Sequence, residues 1–140
     1  MMNSGEGASY EVKLQVPFHD LDPMNMVWHG NYLKYFDVAR LGLFHECGID
    51  LFDYFEKTNY LFPIIKTNTK HVISLRNRDE FICRATVMDA RVKIVMGFEI
   101  RRVGQRDICA KGRSEQVAVK YPEMEMSFEI PDDIRKALGF

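Results

Sequence analysis

Between residues 10 and 17 apolar and polar positions alternate. Tyr10, Val12, Leu14 and Val16 fall on one face, and Glu11, Lys13 and Gln15 on the other. A period of two predicts a half-buried strand. The pattern breaks over residues 18–30, where Asp20, Asp22, Pro23, Asn25 and Gly30 predict a loop. From Asn31 to Glu46 the period becomes helical: Tyr32, Phe36, Ala39 and Leu43 form a stripe that Leu33, Tyr35 and Phe44 widen, and Lys34, Asp37 and Arg40 form a polar side. Gly30 and Asn31 suit the start of this helix, and Gly48 suits its stop. An apolar surface covering more than half the girth suggests a helix gripped by a concave sheet.

Residues 50–62 read as a short helix followed by a connection. Strand patterns then run over 61–75, 80–91, 92–103 and 107–120. The clearest is Val92, Ile94, Met96, Phe98 and Ile100. Val103-Gly104-Gln105-Arg106-Asp107 predicts a hairpin turn. A shift of apolar parity near Gly112 predicts a bulge there. Pro122 and Pro131 bound a C-terminal extension, residues 121–140, with a short helix over Asp132 to Leu138. Residues 1–8 read as a flexible tail. The order is strand, long helix, four antiparallel strands, which is an α+β domain occupying the whole of residues 1–140.

Bulk properties narrow the function classes. A length of 140 residues suits one core. A net charge of -1 argues against a broad nucleic-acid surface, while leaving room for a local cationic patch. No apolar run approaches the roughly 20 residues of a membrane helix, and residues 1–8 have no secretory-signal pattern. Cys47, Cys83 and Cys109 have neither disulfide-framework nor zinc-ligand spacing, so reduced thiols, a cytoplasmic location and no metal are expected. No Gly-rich phosphate loop occurs.

The segment with chemical potential is the loop from Phe18 to Tyr32, which holds two aspartates, two histidines and a tryptophan. It ends where a helix begins. The first turn of a helix carries unpaired N–H groups and a partial positive potential. Such groups can stabilise an oxyanion on a thioester carbonyl, and a nearby carboxylate can attack that carbonyl or activate water. Taken alone, an aspartate beside proline is more often a turn former than a catalyst.

The run Asp20-x-Asp22-Pro23-x-x-x-Val27-x-His29-x-Asn31-Tyr32, continuing to Ala39-Arg40, resembles the signature of the 4-hydroxybenzoyl-CoA thioesterase family. It is similar also to the acyl-CoA thioesterases associated with the bacterial Tol–Pal cluster. The resemblance implies a hot-dog fold, in which a five-stranded antiparallel sheet wraps a long central helix. It implies a homo-oligomer, a dimer or a dimer of dimers (a homotetramer), with active sites at the subunit interface. It puts the catalytic aspartate on Asp22, as nucleophile or general base, and the polarising backbone N–H on His29, with Gly30. The His29 side chain would orient substrate or water. Asn25 stands where the family commonly has glycine, and asparagine tolerates the left-handed backbone that such a turn requires.

The resemblance therefore implies hydrolysis of an aryl or fatty acyl-CoA to the free acid and CoA, with no cofactor. Arg76 and Arg78, at a strand-to-strand turn, are the candidate contacts for CoA phosphates. Asp20 is the second candidate acid, expected to hydrogen-bond within the loop. His45 and His71 are expected to be structural or exposed. Two other readings remain: a non-catalytic acyl-thioester binding module, and an enoyl-thioester hydratase.

Overall fold

The computed structural model describes residues 6–140. Its centre is the helix α1 (Asn31–Glu46), at the boundaries the sequence predicts. Tyr32, Tyr35, Phe36, Ala39, Leu43 and Phe44 are buried along one face. A left-handed Gly48 (φ 75°) ends the helix. The Ile49 N–H donates to the Phe44 carbonyl at 2.8 Å and the Gly48 N–H to the His45 carbonyl at 2.9 Å. These bonds satisfy carbonyls that the helix end would leave unpaired.

Around α1 curls a five-stranded antiparallel sheet, built from β1 (Ser9–Gln15), β3 (Ile64–His71), β4 (Glu80–Asp89), β5 (Ile94–Arg102) and β6 (Ile108–Gln116). The strand order is β1-β4-β5-β6-β3. This is the hot-dog arrangement. The inward residues of β4 and β5 are Phe81, Cys83, Ala85 and Val87, and Ile94, Met96, Phe98 and Ile100, all buried. A short helix α2 (Leu51–Thr58) leads to a small second sheet of β2 (Tyr60–Leu61), β7 (Ala118–Lys120) and β8 (Glu125–Ser127), and α3 (Asp132–Ala137) follows. None of the described helices is long and apolar enough to cross a membrane.

Several expectations need correction. The long strand expected over 61–75 is two, β2 and β3, because Pro63 has no N–H to donate to a ladder. The strand expected over 107–120 likewise splits after Gln116. The bulge expected at Gly112 lies instead near Cys109, where pairing with β5 slips between Ile100 and Arg101. The Cys109 carbonyl accepts from both Val72 and Ile73. Gly112 is paired regularly, and its lack of a side chain has another use: the Phe36 ring lies on it.

Of the tail expected over 1–8, Gly7 and Ala8 are tied to the fold. Residues 1–5 lie outside the described residues, but Gly7 donates to the Val87 carbonyl at 2.8 Å and Ala8 to the Leu138 carbonyl at 3.0 Å. The segment 121–140 is not peripheral either, since Ile130, Ile134 and Leu138 are part of the core. On α1, Arg40 is buried although the pattern gave it to the polar side, and Leu33 is exposed although the pattern gave it to the apolar stripe.

The helix packs chiefly on β1 and β4. The edge strand β3 is therefore uncovered, and Ile64 and Ile65 on it are exposed.

The close approach of Phe36 to Gly112 generates a test. A Cβ at Gly112 would sit 2.4 Å from a Phe36 ring carbon. That ring is buried and stacked on Phe98 at 4.7 Å, so displacing it breaks the stack. Gly112→Ala is expected to destabilise the fold by about 1–3 kcal/mol. Gly97 occupies the same sheet, and a Cβ there would meet only Met88, at 3.6 Å. Gly97→Ala is expected to be neutral or slightly stabilising, since alanine orders more cheaply than glycine. Urea denaturation of the two variants checks the contrast.

Candidate active site

After β1 the chain makes one 3₁₀ turn (Phe18–Asp20) and a tight reversal. Leu21 bridges to Val27. Between them the Asp22 carbonyl accepts from Asn25 N–H at 3.0 Å, and the Asp22 N–H donates to the Met26 carbonyl at 2.7 Å. Asn25 takes the left-handed conformation, φ 61°. This is a type I turn closed by a bulge residue. Each residue suits its place: aspartate first, proline second, and asparagine where the backbone is left-handed. The turn tolerates the asparagine that stands in place of the usual glycine.

The two aspartates of the loop separate cleanly. Asp20 is buried, and its carboxylate accepts from the Lys34 ammonium at 2.5 Å and the Tyr35 hydroxyl at 2.7 Å. Its carbonyl accepts from Trp28 N–H at 3.0 Å and from the Asn31 side-chain amide at 2.9 Å. Asp20 thus ties the loop to the first turns of α1. Burial pushes its pKa up, but the bonds from Lys34 and Tyr35, aided by the Lys34 and His19 charges, outweigh that and hold it below the ordinary carboxylate value. Asp22 is half-buried. Its Oδ1 accepts from the N–H groups of Met24 at 2.8 Å and Met26 at 3.3 Å. Two backbone donors therefore fix one carboxylate oxygen, while Oδ2 has no donor among the described residues.

The loop then enters α1. Gly30 is already helical, with φ -64° and ψ -24°. The N–H groups of His29 and Gly30 have no acceptor among the described residues, whereas those of Asn31 and Tyr32 bond back to Trp28 and His29. A Cβ at position 30 would lie 2.2 Å from the Trp28 indole, so a larger residue there would displace that half-exposed ring. The indole lies beside the His29 imidazole, with ring centroids 5.2 Å apart.

Two neighbours complete the region. The turn after β3 lies alongside the loop: Met26 bridges to Arg76, and Val27 N–H donates to the Leu75 carbonyl at 2.9 Å. The Tyr32 hydroxyl accepts from Leu75 N–H at 3.1 Å, which pins this turn to α1. Arg76 and Arg78 are exposed there, and their guanidinium groups have no ion-pair or hydrogen-bond partner among the described residues. The second neighbour is His71, at the end of β3. Its ring lies 4.7 Å from that of Tyr32 and 6.4 Å from that of His29. Burial, and then the proximity of His29, lower its pKa.

The structure therefore brings the Asp22 turn, the His29–Gly30 helix start and the Arg76/Arg78 turn into one region. It adds His71, which the sequence reading set aside as structural or exposed. The available signal was weak: His71 has the parity of Thr67 and Thr69 on a strand without apolar alternation, and its neighbour His29 is forty-two residues away in sequence.

Comparison with known proteins fits this frame. The model of the Thioesterase-like superfamily matches residues 16–138. A putative acyl-CoA thioesterase, YneP of Bacillus subtilis (strain 168), is 27% identical over 89 residues, covering 63% of this chain and 64% of that protein. The chain thus spans just under two thirds of the relative it matches. Among solved structures, Slr0204, a 1,4-dihydroxy-2-naphthoyl-CoA thioesterase from Synechocystis, superposes with a TM-score of 0.85 at 15% identity, over 93% of this chain and 95% of that one. The 4-hydroxybenzoyl-CoA thioesterase from Pseudomonas sp. strain CBS-3 gives 0.83 at 20% identity, over 93% and 99%. At such identities the superpositions speak for the fold, whereas the family model spans nearly the whole chain: the protein belongs to the Thioesterase-like superfamily.

Proposed function

We propose that this protein hydrolyses an acyl-CoA thioester to the carboxylic acid and CoA. The observation that carries the reading is the pair of N–H groups, His29 and Gly30, that lack an acceptor among the described residues at the start of α1, beside a turn that holds a carboxylate. A thioester carbonyl oxygen at those N–H groups gains most when it becomes an oxyanion, because the donors are already in place and the helix end is positive. The Asp22 carboxylate, held by one oxygen and free at the other, acts as nucleophile or general base. The leaving thiolate needs little help. The His29 imidazole orients substrate or water, and Arg76 and Arg78 meet the CoA phosphates.

The working unit in this reading is a homo-oligomer, a dimer or a dimer of dimers. Support comes from the uncovered β3 edge, whose unpaired backbone groups and exposed Ile64 and Ile65 suit pairing with a second copy. Cys47, Cys83 and Cys109 are free thiols, and burial pushes the Cys83 thiol up to about 12. Such inert thiols suit a reducing, cytoplasmic setting.

A panel of aryl and fatty acyl-CoAs tests the activity. Hydrolysis of at least one is expected. A wild-type protein that binds these thioesters without turning any over would establish the binding-module reading instead. Asp22→Asn is expected to lower kcat by roughly 10²–10⁴-fold with little change in stability, since asparagine keeps the oxygen that receives the two N–H bonds. Unchanged turnover would remove Asp22 from the mechanism.

Asp20→Asn is expected to behave oppositely, costing about 2 kcal/mol of stability through loss of a charge-assisted bond. The pH dependence follows from the lowered pKa of Asp20. Its contribution is complete above the unfolded-state value of about 3.9 and disappears as pH falls through the lower folded value. Wild type should therefore lose stability more steeply than Asp20→Asn below about pH 4. Thermal melts across that range measure the difference.

A further inference from the structure

Because α1 packs on β1 and β4, a trough opens between it and β3. The inward residues of β3 are those paired with inward residues of β6: Thr67 opposite Ser114, Thr69 opposite Gly112, and His71 opposite Ala110. Thr67 and Thr69 face α1 across the trough, and His71 meets the Tyr32 ring of α1. At one end stand His29 and His71. From Asn31, the first residue of α1, two residues, about 3 Å of rise, lead to Leu33, and nine residues, about 14 Å, lead to Arg40.

The far end of the trough is a cavity of about 130 Å³ lined by Leu33, Phe36, Arg40, Ile64, Thr67 and Ser114. Its size is near that of the roughly 150 Å³ apolar cavity that admits benzene, so it has room for the end of a chain. Its apolar walls are Leu33, Phe36, Ile64 and Phe98, and among its polar lining groups Arg40 is the buried charge. The Arg40 side chain is only 6% exposed. It donates to the Ser114 hydroxyl at 2.8 Å and to the Asp37 carboxylate, and it lies against the Phe98 ring at 5.2 Å. Its Nε has no hydrogen-bond partner among the described residues. An unpaired buried donor of this kind costs stability unless a ligand satisfies it.

Charge points the same way. Two cations, Arg40 and Arg113, line the cavity against one carboxylate, Asp37, which is more than half exposed. Burial pulls the Arg40 pKa below its ordinary value despite Asp37. A guest that brings a negative charge would offset that cost, and a methyl terminus would not.

We propose that this cavity recognises an anionic acyl terminus, so that the preferred substrate is a medium-length ω-carboxyacyl-CoA whose far carboxylate is held by Arg40. The inference rests on the thioesterase reading and refines its substrate class. The reaction is unchanged: water cleaves the C–S bond, and the products are a dicarboxylic acid and CoA. Arg40 touches only the remote end of the acyl group, so its effect lies in selection between substrates.

The test compares suberyl-CoA, octanoyl-CoA, ω-hydroxyoctanoyl-CoA and acetyl-CoA with wild type, Arg40→Met and Thr67→Trp. The expected result is a kcat/KM for suberyl-CoA about tenfold or more above octanoyl-CoA, the size of one charge-assisted hydrogen bond. The hydroxyl-ended substrate should fall between them. Arg40→Met should collapse that ratio. Thr67→Trp, on the β3 edge that suits subunit pairing, should lower turnover of all three eight-carbon substrates by filling the cavity, with size-exclusion chromatography checking that its oligomeric state matches wild type. Circular dichroism confirms that each variant is folded. Equal or faster turnover of octanoyl-CoA by wild type, or a preference that survives Arg40→Met, overturns the proposal. Calorimetry with free octanoate and its neutral amide, octanamide, separates the two readings. If no thioester is hydrolysed but octanoate binds wild type more tightly than octanamide, and Arg40→Met removes the difference, the thioesterase reading fails and the recognition site stands. If octanoate binds no better than octanamide, the recognition site fails whatever the activity.

Discussion

The buried carboxylate of Asp20 is the tie on which the candidate site depends. Four groups converge on this residue: Lys34 and Tyr35 on its side chain, Trp28 N–H and the Asn31 amide on its carbonyl. All four lie at or near the start of α1, so a single residue sets both the distance and the angle between the loop and the helix. The satisfaction of Asp20 explains why it can be buried at all, since an unpaired charge there would be prohibitively costly. It also leaves the neighbouring Asp22, two residues on and facing the turn, uninvolved in holding the fold together. The two carboxylates share a loop and divide the tasks of anchoring and exposure.

Much of this was legible in the sequence because it is local. The boundaries of α1 follow from the helical stripe and from Gly48. The turn at residue 22 follows from aspartate, proline and asparagine in the order a bulged type I turn requires. The resemblance of residues 18–40 to a thioesterase signature was sharp because that segment carries loop and helix start together. What escaped was long-range or depended on a single backbone atom. Nothing local says that His71 closes on His29 and Tyr32, because that contact follows from β3 lying next to β6. Gly112 looked like a bulge because its role, giving room to Phe36, is visible only once the helix is packed. Arg40 looked like a surface residue because helical periodicity cannot separate a solvated cation from one folded inward between Ser114 and Phe98.

The placement of α1 has a second effect. A helix centred on β1 and β4 cannot also cover β3, so one side of the sheet keeps an open trough and an unpaired edge. The same asymmetry accounts for the exposed Ile64 and Ile65, the position of His71 and the enclosed space around Arg40. A helix shifted toward β3 would have buried these residues as core and left no room for a guest. The core is thus built to one side, and the emptiness on the other side is a product of register rather than of loose packing.

The single tryptophan of the chain is Trp28, and its indole rests on Gly30 beside His29. A lone fluorophore at the helix start makes the protein's emission a local signal. Light emitted on excitation of tryptophan comes from the place where the carbonyl is proposed to sit, with no other indole to dilute it. Its half-exposed surface makes its colour sensitive to water leaving that spot. Occupancy of the helix start can therefore be followed in real time without a label.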